Sequence, residues 1–368
     1  MIPVSEPAFG EPEIAAVMDC LRSGWISSHG AHLDAFESQW AAYCGRRHGV
    51  SVVNGTAALE LAVAALRLEP GSEIIMPSFT IVSCVFAALR TGAVPKLVDA
   101  DPLTWTMDID AVRAAIGPRT RAIMPVHIYG HPVDMDPILE LGAEHELRIV
   151  EDAAEAHGAE YKGRRCGSFG DVSCFSFYAN KLITTGEGGM LVTDDDTIAE
   201  RARLLRNLAF DPARRFHHAE MGFNFRMTNV QAALGLPQIA RMDAIIAKKR
   251  WIGGEYTRRL ADLSSMHLPV EKSWARSVYW MYGVVLDERV GFDANEVARR
   301  LAALGVETRP FFLGMHEQEV FRRQGLFAGE SYPVAERIAR RGLYLPSGLT
   351  LTPVQLERVV DAVREVLP

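Results

Sequence analysis

HGVSVVNGTAALELAVAALRLEPGSEIIMPSF, the run from His48 to Phe79, reads as a strand, a helix and a second strand. Two apolar segments, His48–Asn54 and Glu73–Phe79, flank Thr56–Leu68, where Leu59, Ala62, Val63 and Leu66 recur at helical spacing. Neither segment alternates apolar with polar residues, so both faces of each strand should be covered, as in a parallel sheet. The pattern continues outward. Further strands are expected at Pro95–Asp101, Arg121–Tyr129, Leu147–Asp152, Val172–Phe177 and Met190–Thr193. Asp108–Ile116 and Asp134–Glu146 read as connecting helices, each opening near an Asp able to cap it. Seven strands alternating with helices predict an α/β fold around a large, mainly parallel seven-stranded sheet. After about residue 230 the character changes. Thr228–Glu255 and Glu255–Leu263 read as helices, Trp280–Leu286 as a strand, and Asn295–Leu304 and Thr352–Val366 as helices. The expected organisation is a large α/β domain over residues 1–235 and a smaller C-terminal α+β domain over 236–368.

The 368 residues are 48% apolar, enough for a large core, and carry a formal charge of −7. That charge argues against a nucleic-acid partner gripped through its phosphates. The densest basic groups, Lys248-Lys249-Arg250 and Arg340-Arg341, fall in helical stretches and read as solvated faces. Cys20, Cys44, Cys84, Cys166 and Cys174 are odd in number and never spaced as CxxC, which predicts no disulfide framework, no zinc site and a reducing cytoplasm. The N-terminus lacks the basic start and apolar core of a signal peptide. No run approaches the roughly 18 apolar residues that span a bilayer, so no membrane partner is expected.

Open α/β sheets collect ligands at the carboxyl ends of their strands. Three places qualify. Asn54-Gly55-Thr56 ends a strand and opens a helix whose free N–H groups suit a phosphate, although Thr56 could equally be a plain helix cap. Glu151-Asp152 brings a carboxylate to a strand end, as a loop cap, a metal ligand or a counter-ion. His127 and His131 are four apart, but Gly130 and Pro132 rule out a shared helix face, so no metal is expected. Lys181 follows the aromatic run Phe175-Ser176-Phe177-Tyr178-Ala179-Asn180 and precedes Gly186-Glu187-Gly188-Gly189. Burial there disfavours the ammonium form and leaves an amine able to attack an aldehyde; the alternative is a lysine snorkelling to the surface. Phosphate anchor, carboxylate and buried lysine together suit an aldehyde-bearing pyridine phosphate. A carboxylate about 4 Å from the ring nitrogen is worth roughly 4 kcal/mol at an effective dielectric near 20, about three pKa units toward the protonated ring.

At these residues the chain resembles the DegT-type sugar-nucleotide aminotransferases, fold type I enzymes of pyridoxal 5′-phosphate. The resemblance runs over nearly the whole chain. Its carriers include Ser23–Ser28, Asn54–Leu59, Met76–Thr80, Pro125–Gly130, Glu151–Ala156, Phe175–Gly189 and Gly222–Asn229. It implies that Lys181 bonds the cofactor and then shuttles protons, with pyridoxamine 5′-phosphate as the half-way form. Asp152 would face the ring nitrogen and Glu155 the phenolic oxygen. Gly55, Thr56, Ala57 and Ser176 would bind the phosphate. Asn224 would reach the phosphate from a neighbouring subunit, which implies a homodimer with shared active sites. Trp25, Ser27, His127, Arg309 and His316 would contact the sugar nucleotide. Ile81 stands where many relatives carry an aromatic residue stacked on the cofactor ring. The implied partners are glutamate and a keto-sugar nucleotide. Ile183–Gly189 and Gly222–Asn229 most resemble members that aminate GDP-4-keto-6-deoxymannose at C4. Amination at C3 of a related sugar is the alternative. Relatives that dehydrate a sugar carry His in place of the lysine, which Lys181 argues against. A dinucleotide-dependent oxidoreductase would need a GxGxxG after the first strand, and none is present.

Overall fold

A computed structural model describes residues 1–211 and 213–367, with the Arg215 side chain left out. Seven strands form the main sheet: β1 (His48–Val52), β2 (Glu73–Pro77), β3 (Val94–Val98), β4 (Thr120–Ile123), β5 (Arg148–Asp152), β6 (Val172–Ser176) and β7 (Gly189–Thr193). Their order across the sheet is β1-β7-β6-β5-β4-β2-β3. The β2–β3, β2–β4, β4–β5 and β5–β6 pairs are parallel, while β7 is antiparallel to both β1 and β6. Six strands therefore share one direction and β7 alone is reversed. Every residue of β2, β6 and β7 is buried, as expected of strands covered on both faces.

The reversal of β7 matters for the site. It starts at the edge where β1, β5 and β6 end, so the turn Gly186–Gly189 sits beside Asn54-Gly55, Asp152 and Ser176. A Cβ on Gly189 would lie 2.2 Å from the Asn54 carbonyl oxygen, so only glycine lets β7 begin against that turn. The helix Gly55–Ala65 that follows β1 is capped by Asn54, whose Oδ1 accepts the Ala57 N–H at 2.8 Å. Asn54, then, and not Thr56, is the cap.

A second sheet, β8 (Met266–His267), β9 (Tyr282–Leu286), β10 (Arg309–Pro310) and β11 (Gly342–Leu345), is ordered β8-β9-β11-β10 and entirely antiparallel. Its core includes Tyr256, Tyr282, Leu343 and Val359, and also Ile2 from the N-terminus. Ile2 bridges to Val306, donating its N–H to the Gly305 carbonyl at 2.7 Å.

The expected helix Thr228–Glu255 is two helices, Asn229–Ile239 and Met242–Leu260. The first contains Pro237, which lacks an N–H and crowds the preceding turn, and it ends two residues later. At Glu255, where one expected helix was to give way to the next, the second helix runs on unbroken. A Cβ on Gly253 would lie 2.8 Å from the Tyr279 ring, so this glycine serves close packing and not a bend. Among the described residues no helix is long and apolar enough to cross a membrane.

Candidate active site

The carboxyl edge of the main sheet opens into a cavity of about 420 Å³. Its wall holds Gly55, Thr56, Ile81, Asp152, Glu155, Ser176 and Lys181, which come from segments after four different strands. Strand alternation explains the acidic members. Consecutive side chains of β5 point to opposite faces, so Asp152 reaches the cavity while Glu151 turns away. Lys181 lies five residues beyond Ser176, in a turn closed by its own N–H donating to the Tyr178 carbonyl at 2.9 Å.

Three buried charges meet here. The Lys181 Nζ lies 3.9 Å from Glu155 Oε1, and both side chains are under one-tenth exposed. Burial lowers the pKa of Lys181, opposed by the nearby carboxylates of Glu155 and Asp152. The same burial raises Glu155, opposed by Lys181 and by a Tyr129 N–H that donates to Oε2 at 2.7 Å. Tyr129 delivers that N–H from the left-handed region, at φ 51°. Asp152 is raised by burial as well. Its donors are the Ala154 N–H at 3.0 Å and the Cys84 thiol at 3.3 Å. A thiol is a weak donor, so this carboxylate is poorly compensated and wants a cation.

The phosphate-suited corner is built from hydroxyls. Thr56 Oγ1 and Ser83 Oγ are 2.7 Å apart, and Ser176 Oγ accepts the Tyr178 N–H at 3.3 Å. A Cβ on Gly55 would meet Ser176 Cβ at 2.7 Å, so glycine alone permits this close approach. Ala57 is different: its N–H is committed to Asn54.

The remaining expected residues lie off the cavity wall. His127 is fully buried; its Nδ1 accepts the Val133 N–H at 3.0 Å, leaving Nε2 to donate to Glu151 Oε1 at 2.8 Å. His316 bridges Ser78 Oγ at 2.9 Å and Glu336 Oε1 at 3.1 Å, and is buried too. Arg309 pairs with Glu307 at 2.6 Å and sits across β10–β11 from Tyr344, which does line the cavity. Trp25 and Ser27 are exposed, and their carbonyls accept from Asn229, Trp25 from Nδ2 at 2.7 Å and Ser27 from the N–H at 2.6 Å. Asn224 is exposed, in an isolated bridge with Asn207.

Several wall residues were not anticipated. Trp280, Phe312 and Tyr344 arrive from the C-terminal part of the chain, Ser83 from the start of the helix Ser83–Arg90, and Asn180 and Glu187 from the loops. The Trp280 ring centroid is 3.6 Å from the Lys181 Nζ, and its Nε1–H donates to the Asn180 carbonyl at 2.8 Å. No local pattern around Trp280 marks it, because its role depends on a partner a hundred residues away.

Pyridoxal 5′-phosphate fits this donor set. A protonated ring nitrogen supplies the cation that Asp152 lacks, the hydroxyls of Thr56, Ser83 and Ser176 suit a phosphate, and the Lys181 amine suits an aldehyde. The Asn180 Oδ1, buried without a hydrogen-bond partner among the described residues, is a further polar atom free to meet a ligand.

Residues 7–364 match the DegT/DnrJ/EryC1/StrS aminotransferase family. The chain is 43% identical over 367 residues to GDP-perosamine synthase of Caulobacter vibrioides, covering 100% of this chain and 98% of that one. It is 40% identical over 338 residues to the dTDP-3-amino-3,4,6-trideoxy-alpha-D-glucose transaminase of Streptomyces venezuelae, covering 91% and 87%. Among solved structures, DesV of S. venezuelae superimposes with a TM-score of 0.89 at 39% identity, covering 96% of this chain and 93% of that one.

Proposed function

The chain belongs to the DegT/DnrJ/EryC1/StrS aminotransferase family as a pyridoxal-5′-phosphate-dependent sugar-nucleotide aminotransferase, and from that premise we propose that it moves the amino group of glutamate to C4 of GDP-4-keto-6-deoxymannose, giving GDP-perosamine. One observation carries the choice of sugar: the match to the Caulobacter GDP-perosamine synthase spans the whole of this chain. The test is a panel of nucleotide-linked keto-sugars incubated with glutamate, with the new amine located by NMR. Amination at C4 of the GDP sugar supports the proposal. The 40% identity to a transaminase of a dTDP-3-amino sugar favours a second reading, amination at C3, which the same spectra would reveal.

When bound, pyridoxal phosphate supplies an aldehyde that trades amines and a ring that stabilises the carbon left by a departing proton. The side chains around it have separate tasks. Lys181 Nζ would hold the cofactor through its aldehyde and, once displaced by the incoming amine, would have to be neutral to take a proton, the form that burial favours. Glu155, placed 3.9 Å away and itself raised by burial, can hold the proton that Lys181 gives up. Asp152 would keep a positive charge at the ring nitrogen. Thr56, Ser176 and the N-terminus of the helix Gly55–Ala65 would hold the phosphate, aided by Ser83. Ile81 would cover the cofactor, and Trp280 and Phe312 would keep water from the amine. Of the expected sugar contacts, Arg309 is paired across β10–β11 with Tyr344, a residue of the cavity wall. His127 and His316 act at one remove, since both their ring nitrogens are already hydrogen-bonded.

Two copies complete the site. Ile14, Met18 and Leu21 recur at helical spacing on the helix Glu11–Ser23 and stay exposed, as do Trp25 and Ile26 beyond it. An apolar stripe of this kind suits a second copy of the chain. Asn224, exposed and off its own cavity, would then reach the partner's phosphate. The five cysteines are all free, in keeping with a cytoplasmic enzyme.

A further inference from the structure

Lys249 is a buried lysine that the reaction does not employ. It sits in the middle of the helix Met242–Leu260 with 4% of its surface exposed, and among the described residues it forms no ion pair. Its Nζ instead donates to three oxygens: the Trp280 carbonyl at 2.8 Å, the Ser347 carbonyl at 2.5 Å and Ser347 Oγ at 3.2 Å. Three donors meeting three acceptors is the full complement of an ammonium, which no other side chain of this length provides. Burial drives the amine down to about 7, and the three acceptors pull the other way, since only the charged form can satisfy all of them.

What these oxygens belong to is the informative part. The Trp280 carbonyl is the backbone of the residue whose ring faces Lys181. Trp280 is thereby held twice, at its backbone by Lys249 and at its ring nitrogen by the Asn180 carbonyl, with Asn180 the immediate neighbour of Lys181. A narrow cleft lined by Asn180, Lys181, Lys249 and Trp280 joins the two lysines. The helix Met242–Leu260 thus reaches the reactive amine through one intermediate side chain.

We propose that Lys249 is a positioning residue that pins Trp280 against the Lys181 amine and so governs the exposure and basicity of that amine. The inference takes Lys181 as the reactive lysine, as proposed above, but its consequences are readable without cofactor. A ring face within reach of an ammonium stabilises the charged form, and the indole also covers the amine. Losing Lys249 frees the Trp280 backbone. Loss of the ring face destabilises the ammonium and opens the amine to an acylating reagent, while the water let in favours the ammonium again; access decides the balance, and Lys181 becomes more reactive.

The experiment is acetylation of the full-length, cofactor-free protein by a limiting amount of acetic anhydride at pH 8, with each lysine scored by peptide mass spectrometry. Lys249→Met preserves length and burial without the charge. It should raise the Lys181 rate at least about five-fold relative to half-buried Lys272. Trp280→Leu should do the same, and the double variant should be no faster than Trp280→Leu alone, because both changes act through one ring. A Lys249→Met rate equal to wild type, or a double variant whose effects multiply, would overturn the proposal. A merely structural role would alter unfolding without this non-additive signature. If Lys249→Met does not fold, Lys249→Gln, which keeps two of the donors, is judged by the same two criteria. Failure of the sugar assay would leave these rates untouched, so the two proposals fail separately.

Discussion

Replacing Glu155 by Gln isolates the electrostatic support of the reactive amine. At 3.9 Å the Glu155 carboxylate and the Lys181 ammonium attract by about 4 kcal/mol at an effective dielectric near 20, a ceiling of about three pKa units. The carboxylate is itself raised by burial, so part of that attraction is lost wherever Glu155 is protonated. A fall of about one to three units in the Lys181 pKa is therefore expected. The amide keeps an oxygen for the Tyr129 N–H, so the local backbone should stay in place. The chain has six lysines, few enough for each side-chain carbon to be followed by NMR in 13C-labelled, cofactor-free protein. The Lys181 resonance, assigned from its disappearance in Lys181→Arg, should titrate at lower pH in Glu155→Gln. A midpoint within about half a unit of wild type, or a higher one, would refute the coupling and return Glu155 to a purely structural part.

Three further outcomes are expected. Lys181→Ala should abolish turnover and the visible absorbance of lysine-bound cofactor while leaving circular dichroism unchanged, and full activity would end the assignment. Gly189→Ala places a Cβ 2.2 Å from a backbone oxygen at the Asn54-Gly55 turn; a loss of about 1–3 kcal/mol in urea unfolding and weaker cofactor binding should follow, and wild-type values for both would contradict the packing argument. Glu151→Gln should cost about 3 kcal/mol at pH 7, because the carboxylate accepts from His127, Gly167, Phe169 and Ser173 and an amide can satisfy only part of that set. Burial raises the pKa of Glu151, but its donors outweigh that and hold it below the ordinary carboxylate value, so its stabilisation is complete above the ordinary value and lost as pH falls from there through the lowered one. The variant should show a flatter acid limb, and an unchanged slope would disprove it.

The seven strands, the parallel majority and the three ligand-bearing ends were legible because each is written locally, in continuous apolar runs closed by Asn54-Gly55, Glu151-Asp152 and Phe175–Lys181. The reversal of β7 was not. Periodicity carries no direction, and only the glycines at 186, 188 and 189 hinted that the chain turns back at once. His127 shows a different limit. It follows an apolar strand as a catalytic histidine might, and nothing near it discloses that Glu151 and the Val133 N–H claim both ring nitrogens. Trp280, Phe312 and Tyr344 were invisible for a third reason. They form the cavity wall only because the C-terminal sheet packs over the edge of the main one, and Lys249, read as part of a solvated basic run, is instead buried with its Nζ donating to the Trp280 carbonyl.

The neighbouring acids on β5 show how much of the site lies in register and how little in residue type. Glu151 and Asp152 are chemically alike and adjacent, yet one collects four donors and the other two. The difference comes from the pairing with β6, which sets Glu151 against Ser173 and Asp152 against Cys174. Ser173 gives Glu151 a strong donor at 2.6 Å, and the loop before β6 adds the N–H groups of Gly167 and Phe169. Glu151 is thereby a satisfied anion that fastens the loop and His127. Asp152, pointing to the opposite face, is left with a thiol, a single N–H and the more distant charge of Lys181, so it suits a cation entering the cavity. A slip of one residue between β5 and β6 would exchange the two and satisfy the acid that must stay hungry. The sheet register is for that reason as much a part of the cofactor site as the lysine.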